Sequence, residues 1–341
     1  MRKAILLILM VSLVLGGCQQ LPQSNSKQYT ATFLTLFDTV TSIVGTAETE
    51  EDFRAKAQKI HDDLLFYHQR FDIYNDYDGI SNLKTINDHA GDAPVTVDET
   101  VIALLKDCKR YYSLTDGKVN AAMGSVLSLW HDARTDGLRD PVNAQLPKMD
   151  ALTEAAKHTD FDKVVIDETA CTVVITDAQV SLDVGAIAKG WATQRAAEKA
   201  PAGMLISVGG NVCATGPKKE DGTPWVIGIQ DPDNSSENLH TIYVTSGSVV
   251  TSGDYQRTYS VDGKRYHHII DPETCMPSEY WRSVTVVCAD SGLADALSTA
   301  LFLLPLEQGM ALAAQNDAEV IWIDTAGEEY MTDGFREMIR T

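Results

Sequence analysis

Ser181-Leu-Asp-Val-Gly-Ala-Ile-Ala-Lys-Gly-Trp191 is the stretch on which the reading of this chain turns. It follows a β-rich run, Thr172 to Thr176, and enters a helical pattern predicted over Asp183 to Lys199. It therefore sets a carboxylate and several small residues at the positive end of a helix dipole. Such an end can receive a phosphate or the edge of a ligand. Taken alone, Asp183 reads equally well as a simple helix cap.

Working outward, the next run, Met204 to Val208, has the β-branched and apolar composition of a strand and ends in Gly209-Gly210. That pair permits either a close backbone approach to a ligand or a tight turn. Further strands are expected at Trp225 to Ile229, Thr241 to Thr245, Ser283 to Cys288 and Glu319 to Ile323, with a long helix over Leu293 to Ala314. Asp262-Gly263 separates Tyr255 to Val261 from Lys264 to Ile270 and predicts a two-residue hairpin. On that hairpin Tyr266, His268 and Ile270 would share one face, with His267 and Ile269 on the other. Upstream, Tyr29 to Gly45 reads as a strand pair or bent strand. Ile60, Leu64, Tyr67 and Phe71 recur at helical spacing. Thr96-Val-Asp-Glu99 has the form of a capping box opening a helix through Val101, Leu104, Leu105 and Cys108. The polar stretch from Ala133 to Pro147 reads as an exposed loop. The sum is a mixed α/β or α+β chain with no linker that forces a split.

Asp295 and Thr299 lie four apart on the expected helix, so a carboxylate and a hydroxyl share one face, with Ser298 beside them. Hard oxygens of this kind suit Mg²⁺, with backbone carbonyls, waters or substrate phosphates completing the shell. His267-His268 precedes Ile-Ile-Asp271-Pro272 at the end of a strand, and a histidine beside a phosphate can act as a base near neutral pH. The chain has neither G-x-G-x-x-G nor G-x-x-x-x-G-K-[ST], so neither a dinucleotide fingerprint nor a P-loop is supported.

The N-terminus bears on compartment. Arg2 and Lys3 precede an apolar run from Ala4 to Leu15, which ends in Leu15-Gly-Gly-Cys18. The run is too short for a bilayer core of roughly 30 Å, and its flanks are those of a lipoprotein signal peptide, residues 1–17. Cys18 would then carry lipid, holding the protein on the extracytoplasmic face of a membrane that it does not cross. Residues 18–28 read as a polar tether. The formal charge of −20 becomes −22 without Arg2 and Lys3, which argues against nucleic acid as a partner. Besides Cys18 there are five cysteines, Cys108, Cys171, Cys213, Cys275 and Cys288, with no CxxC spacing. Neither a zinc site nor a disulfide framework follows, although one unassigned disulfide is compatible with export.

The order of these segments resembles the ApbE family of flavin transferases. The resemblance covers about Leu36 to Gly309. It rests on Ser181-Leu-Asp-Val-Gly-Ala-Ile-Ala-Lys-Gly, Val208-Gly-Gly-Asn, Thr251-Ser-Gly-Asp-Tyr, Tyr266-His-His-Ile-Ile-Asp-Pro, and Ser283-Val-Thr-Val-Val with Ala294-Asp-Ala-Leu-Ser-Thr-Ala-Leu-Phe. Weaker matches are Phe37-Asp-Thr, Phe71-Asp-Ile-Tyr-Asn with Ile80-Ser-Asn-Leu, and Asn120-Ala-Ala-Met-Gly with Leu129-Trp130. The family implies an α+β fold, ApbE-like and T-fold-related, with mixed sheets and packed helices in a single compact catalytic domain over 29–341. It also implies transfer of the FMN half of FAD to a Thr or Ser hydroxyl of exported proteins, with AMP released. By the same resemblance Ala186, Asp295, Thr299 and Ser298 would hold Mg²⁺ or another divalent ion on the FAD diphosphate. Phe37, Tyr74, Asn120, Ala121 and Ala122 would lie at the flavin, and Asp183, Lys189 and Ile270 would contact other parts of FAD. His268 would be the base. Acceptors would carry an Asp-Ser/Thr-Gly-Ala-Ser/Thr-type segment.

Four residues depart from the family's pattern: Phe37 for Met, Asn120 for Asp, Gln194 for Asp and Cys275 for Gly. Asn120 removes a carboxylate beside the flavin, and Cys275 occupies a turn position suited to positive φ. Two further readings use the same residues: a metal-dependent FAD pyrophosphatase, with water as nucleophile, and a non-catalytic flavin-binding lipoprotein.

Overall fold

The structure is a computed structural model that describes residues 27–234 and 236–340. The expected signal peptide, Cys18 and the tether as far as residue 26 lie outside the described residues. Lys27 and Gln28, expected to end the tether, already belong to the first strand.

The frame is one eight-stranded sheet whose strands follow chain order from edge to edge and pair antiparallel throughout. They are β1 (Lys27–Leu36), β2 (Thr39–Ala47), β3 (Met204–Val208), β4 (Asn211–Ala214), β5 (Gly247–Gly253), β6 (Trp281–Cys288), β7 (Glu319–Asp324) and β8 (Glu329–Met331). Alternation within β6 supplies both faces: Val284 and Val286 pack with the helices, and Val287 packs with a hairpin on the other side. That hairpin pairs Trp225–Gln230 with Asn238–Val244 and covers the second face with Trp225, Ile227, Ile229, Ile242 and Val244. A sheet covered on both faces excludes water from its centre, and each fully buried large side chain contributes roughly 1.5–3 kcal/mol.

The helical face is built by α1 (Glu50–Phe71), α2 (Glu99–Leu114), α3 (Gly124–Arg139), α4 (Ala188–Lys199), α5 (Ser291–Phe302) and α6 (Leu306–Gln315). α1 begins at Thr49, whose hydroxyl accepts the Asp52 N–H at 3.1 Å, and it buries Phe53, Ile60, Leu64, Tyr67 and Phe71. These are the helical spacings visible in the sequence, extended two turns upstream through Ala57. α3 belongs to a smaller lobe. There Met123, Val126 and Trp130 pack with Tyr259, Ile270 and Cys275 around the short hairpin Tyr259–Val261/Lys264–Tyr266.

Five expectations need correction. Thr96 is not a cap: it pairs with Thr172 in a small sheet, and Asp98 caps α2 through the Thr100 N–H at 2.8 Å. The stretch from Ala133 is not loop as far as Arg139. α3 runs through it, because Gly137 packs against Tyr259 closely enough that a Cβ would lie 2.7 Å from that ring. Leu293 to Ala314 is two helices rather than one, since Pro305 cannot continue α5 and disfavours helical backbone at Leu304. α4 starts at Ala188, five residues later than expected, with irregular backbone at Asp183 and Val184 and a turn over Gly185 to Ile187. The Asp262-Gly263 hairpin forms, with φ of 49° and 79° at the turn, but its ladder stops at Tyr266. His267 to Ile270 therefore do not follow strand alternation. The five cysteines other than Cys18 are free thiols. Among the described residues no helix is long and apolar enough to cross a membrane.

Candidate active site

A cleft of about 560 Å³ opens between the sheet with its helices and the lobe of α3. One wall is the Ser181 stretch. Asn87 grips it from both sides: the Leu182 N–H donates to Asn87 Oδ1 at 2.7 Å, and Asn87 Nδ2 donates to the Leu182 carbonyl at 2.9 Å. Gly124 comes so close that a Cβ would lie 2.5 Å from the Ser181 carbonyl oxygen, and its own N–H donates to that oxygen at 2.9 Å. Asp183 does not cap α4. Its Oδ1 accepts the Gly185 N–H at 2.8 Å and closes a turn ahead of the helix. Burial raises the Asp183 carboxyl above its ordinary range, opposed by the Gly185 N–H and by nearby Arg257, His131 and Lys189.

The floor is the crossing of α4 and α5, and Gly190 makes it possible. A Cβ there would stand 2.2 Å from the Ser291 carbonyl oxygen and 2.4 Å from the Asp295 Cβ. With hydrogen in its place the two helices touch, and the Gly190 N–H donates across the crossing to Asp295 Oδ2 at 2.8 Å. That bond diverts the N–H that would otherwise close on the Ala186 carbonyl four residues back, and among the described residues no backbone N–H closes on that carbonyl. Ala186, Asp295 and Thr299 all line the cleft. Asp295 is only 4% exposed. Burial pushes its carboxyl up, while Lys189, the Gly190 N–H and the Asn211 amide oppose that push. Lys189 Nζ stands 3.8 Å from Asp295 Oδ2 and donates to the Gly185 carbonyl at 3.0 Å.

These donors fit a hard divalent ion. A buried carboxylate, a hydroxyl one helical turn on and a backbone carbonyl freed of its helical partner are all oxygens, the set Mg²⁺ takes. Among the described residues no group of three or more His, Cys, Asp or Glu forms a metal cage. A metal here would thus draw the rest of its shell from water and from a ligand. Ser298 is not brought to the cleft surface with them: it is fully buried, its Oγ shared with Ser252 Oγ at 2.8 Å and the Asp295 carbonyl at 2.9 Å.

The far wall carries the histidines, which behave differently. His267 is tied down, with Nε2 on the Ser278 carbonyl at 2.7 Å and Nδ1 accepting the Ile269 N–H at 3.2 Å. His268 makes no hydrogen bond within the described residues and turns its ring into the cleft. Desolvation by the surrounding walls, then the charges of Arg257, His267, Lys189 and Arg134, hold it far below the ordinary 6.5. Its ring surface remains reachable from the cleft, so the chemical consequence is a neutral imidazole with a free lone pair. Ile270 lines the same wall.

At the other end, Tyr74 is 54% exposed and its ring lies 5.4 Å from that of His131. Asp72 holds this loop by accepting the Tyr74 N–H at 2.7 Å and the Tyr77 hydroxyl at 2.7 Å. Asn120 lines the cleft, but Ala121 and Ala122 are fully buried behind it and act through backbone. The Ala121 carbonyl accepts the Asp183 N–H at 2.8 Å, and the Ala122 N–H donates to Asn120 Oδ1 at 2.9 Å. Asn120 Nδ2 donates to the Thr159 carbonyl at 2.8 Å, a bond a carboxylate could not make. Phe37 does not line the main cleft. It sits in an adjoining recess of about 130 Å³ with its ring against His68. Gln194 accepts the Ser291 N–H at the start of α5, at 2.8 Å. Cys275 keeps a φ of 57°, the left-handed geometry that glycine would take without strain. Arg134, Arg257, Asn87 and Asn211 also line the cleft. Asn211 closes the Val208-Gly-Gly-Asn motif, with no role assigned to it there; Asn87, Arg134 and Arg257 carry no sequence signal, because each acts across a long chain separation that local pattern does not encode.

A family model described as the ApbE family matches residues 37–322. The chain is 36% identical over 250 residues to the FAD:protein FMN transferase of Treponema pallidum, covering 68% of this chain and 67% of that protein. It is 35% identical over 254 residues to a FAD:protein FMN transferase of Klebsiella pneumoniae, covering 71% and 75%. The crystal structure of the ApbE protein of Thermotoga maritima superposes with a TM-score of 0.81 at 33% identity, over 92% of this chain and all of that one.

Proposed function

This chain belongs to the ApbE family, and we propose that it is a transferase that cleaves FAD and places the FMN half on a Thr or Ser hydroxyl of a partner protein, releasing AMP. The observation that carries this reading is the facing of two unlike walls across one cleft. Ala186, Asp295 and Thr299 offer hard oxygens on one side, and His268 offers an uncommitted, neutral imidazole on the other.

In this reading the isoalloxazine lies toward Tyr74 and Asn120, and the diphosphate lies over the α4–α5 crossing. Asp295, Thr299 and the Ala186 carbonyl would hold a divalent ion, preferably Mg²⁺. When bound, that ion supplies neutralisation of charge on the phosphate oxygens. His268 accepts the acceptor hydroxyl's proton as its oxygen bonds to the FMN-side phosphorus. The bond from that phosphorus to the bridging oxygen breaks, and the electron pair leaves on AMP. The uncommitted lone pair of the imidazole leaves it free to take that proton. Lys189, already within the same cleft, is placed to meet a phosphate oxygen. We further propose that lipid on Cys18 tethers the enzyme at the extracytoplasmic face of a membrane, where exported acceptors with an Asp-Ser/Thr-Gly-Ala-Ser/Thr-type segment pass. The acidic chain offers little electrostatic attraction of its own to anionic lipid.

The experiment is incubation of purified protein with FAD, Mg²⁺ and an acceptor domain, followed by denaturing electrophoresis. A flavin-fluorescent acceptor band that survives denaturation, with one AMP per flavin attached, is the expected result. Free FMN and AMP without the band would identify a pyrophosphatase. FAD left intact after long incubation would identify a binding protein and end the proposal.

A further inference from the structure

Asn211 opens β4 directly behind the Gly209-Gly210 turn and is 2% exposed. It lines the cleft beside Asp295, and its amide helps hold the Asp295 charge. Yet its buried Nδ2 makes no hydrogen bond of acceptable geometry within the described residues. Of the polar side chains nearby, Thr251 pairs with Thr285 at 2.8 Å and Ser252 with Ser298 at 2.8 Å, whereas the buried Ser291 Oγ, one turn before Asp295, also lacks a partner among the described residues. Asp295 itself is half-satisfied. Oδ2 takes the Gly190 N–H and faces Lys189, and among the described residues Oδ1 has no hydrogen bond of full geometry. A buried amide donor thus stands close enough to a buried carboxylate to favour its charge, yet short of the geometry of a full hydrogen bond. Buried donors are rarely left this way unless another state of the molecule uses them.

We infer that Asn211 is the positioning residue for Asp295, its N–H engaging the carboxylate once that group turns to ligate the divalent ion. The inference rests on the reading of Asp295 as a metal ligand. With a divalent ion on one Asp295 oxygen, the other would be free to accept the Asn211 N–H in full. Carboxylates that bind metals are generally held by such a partner, whose loss weakens metal binding about 10- to 100-fold. Asparagine fits where aspartate would not, since a second carboxylate against Asp295 would repel it and offer no N–H.

The test uses Mn²⁺ as probe, with ADP present as an unreactive diphosphate, and follows free Mn²⁺ by electron paramagnetic resonance. Asn211→Ala should raise the Mn²⁺ Kd at least tenfold, and Asn211→Asp should not restore it. FAD affinity in EDTA, followed by flavin fluorescence, should stay within twofold. The Tm in EDTA should not fall, because an unsatisfied buried donor is being removed. Unchanged Mn²⁺ affinity overturns the inference. So does a fall in Tm or metal-free FAD affinity that parallels the Mn²⁺ loss, since the residue would then be structural. Asp295→Ala sets the zero. Wild-type protein that binds no Mn²⁺, or whose Mn²⁺ binding survives Asp295→Ala, would instead refute the metal-site reading on which this rests.

Discussion

At the residue scale the cleft depends on a few atoms whose neighbours come from distant parts of the chain. Asp295, Thr299 and His268 were legible in the sequence, because a carboxylate and hydroxyl at helical spacing, and a histidine ending a strand, carry their chemistry in type and position. Asn87, 95 residues from Leu182, and the Arg134–Arg257 pair were not, since no local pattern marks them. We expect Asp295→Ala and Thr299→Ala each to abolish FAD turnover, measured as AMP release. His268→Ala should lower that rate by about 10²- to 10⁴-fold, the usual contribution of a positioned base, with FAD affinity retained. The imidazole's pH behaviour follows from its depressed folded value. The unfolded chain takes up a proton near 6.5 while the folded chain does not. Below that pH the unfolded state binds more protons, and stability falls as pH falls. His268→Gln should therefore lose less stability than wild type between pH 7 and pH 5 in urea titrations. A variant with the wild-type pH slope would mean that the folded imidazole protonates normally.

At the scale of elements, two close approaches set the geometry. Gly190 lets α4 meet α5, and Gly209 lets the β3–β4 turn meet the β1–β2 hairpin. A Cβ on Gly209 would lie 2.6 Å from Thr39 Oγ1, whereas one on Gly210 would meet nothing within 4 Å. Both have positive φ, 57° and 92°. Alanine at Gly210 should cost about 1–2 kcal/mol from backbone strain alone, and alanine at Gly209 distinctly more. Urea midpoints of the two variants measure the difference, and equal costs would contradict the packing described. Gly190→Ala meets backbone and cannot be relieved by a rotamer. It should lose both stability and Mg²⁺-dependent turnover. Element existence was readable from period, as in α1 and β3, whereas element ends were not. α4 starts late because the Ser181 stretch is held outside the helix by Asn87 and Gly124, and α5 ends early at Pro305. The stretch from Ala133 has the composition of a loop although α3 continues through it to Arg139, because one strip of the helix packs on the small lobe while the rest is polar.

For the whole molecule, the antiparallel sheet, buried on both faces, is a rigid support on which α4 and α5 are fixed, and the α3 lobe closes the cleft from the other side. The overall class and order of segments were legible, because successive motifs fall in one family order. The cleft was not, since it is assembled from residues between Asp38 and Thr299. FAD with Mg²⁺ should stabilise the folded chain by mass action, about 2.7 kcal/mol at a hundredfold excess over Kd. A rise in Tm of several degrees by scanning calorimetry is expected, and the part of it that depends on Mg²⁺ should be absent in Asp295→Ala. The claim beneath all of this is that the α4–α5 crossing is a metal–diphosphate seat. Crystals grown with Mn²⁺ and ADP, with anomalous data collected near the manganese edge, test it directly. The expected result is a single strong peak bonded to the Asp295 carboxylate, the Thr299 hydroxyl, the Ala186 carbonyl and a diphosphate oxygen. A diphosphate bound elsewhere in the cleft, or manganese seated away from Asp295, would contradict it.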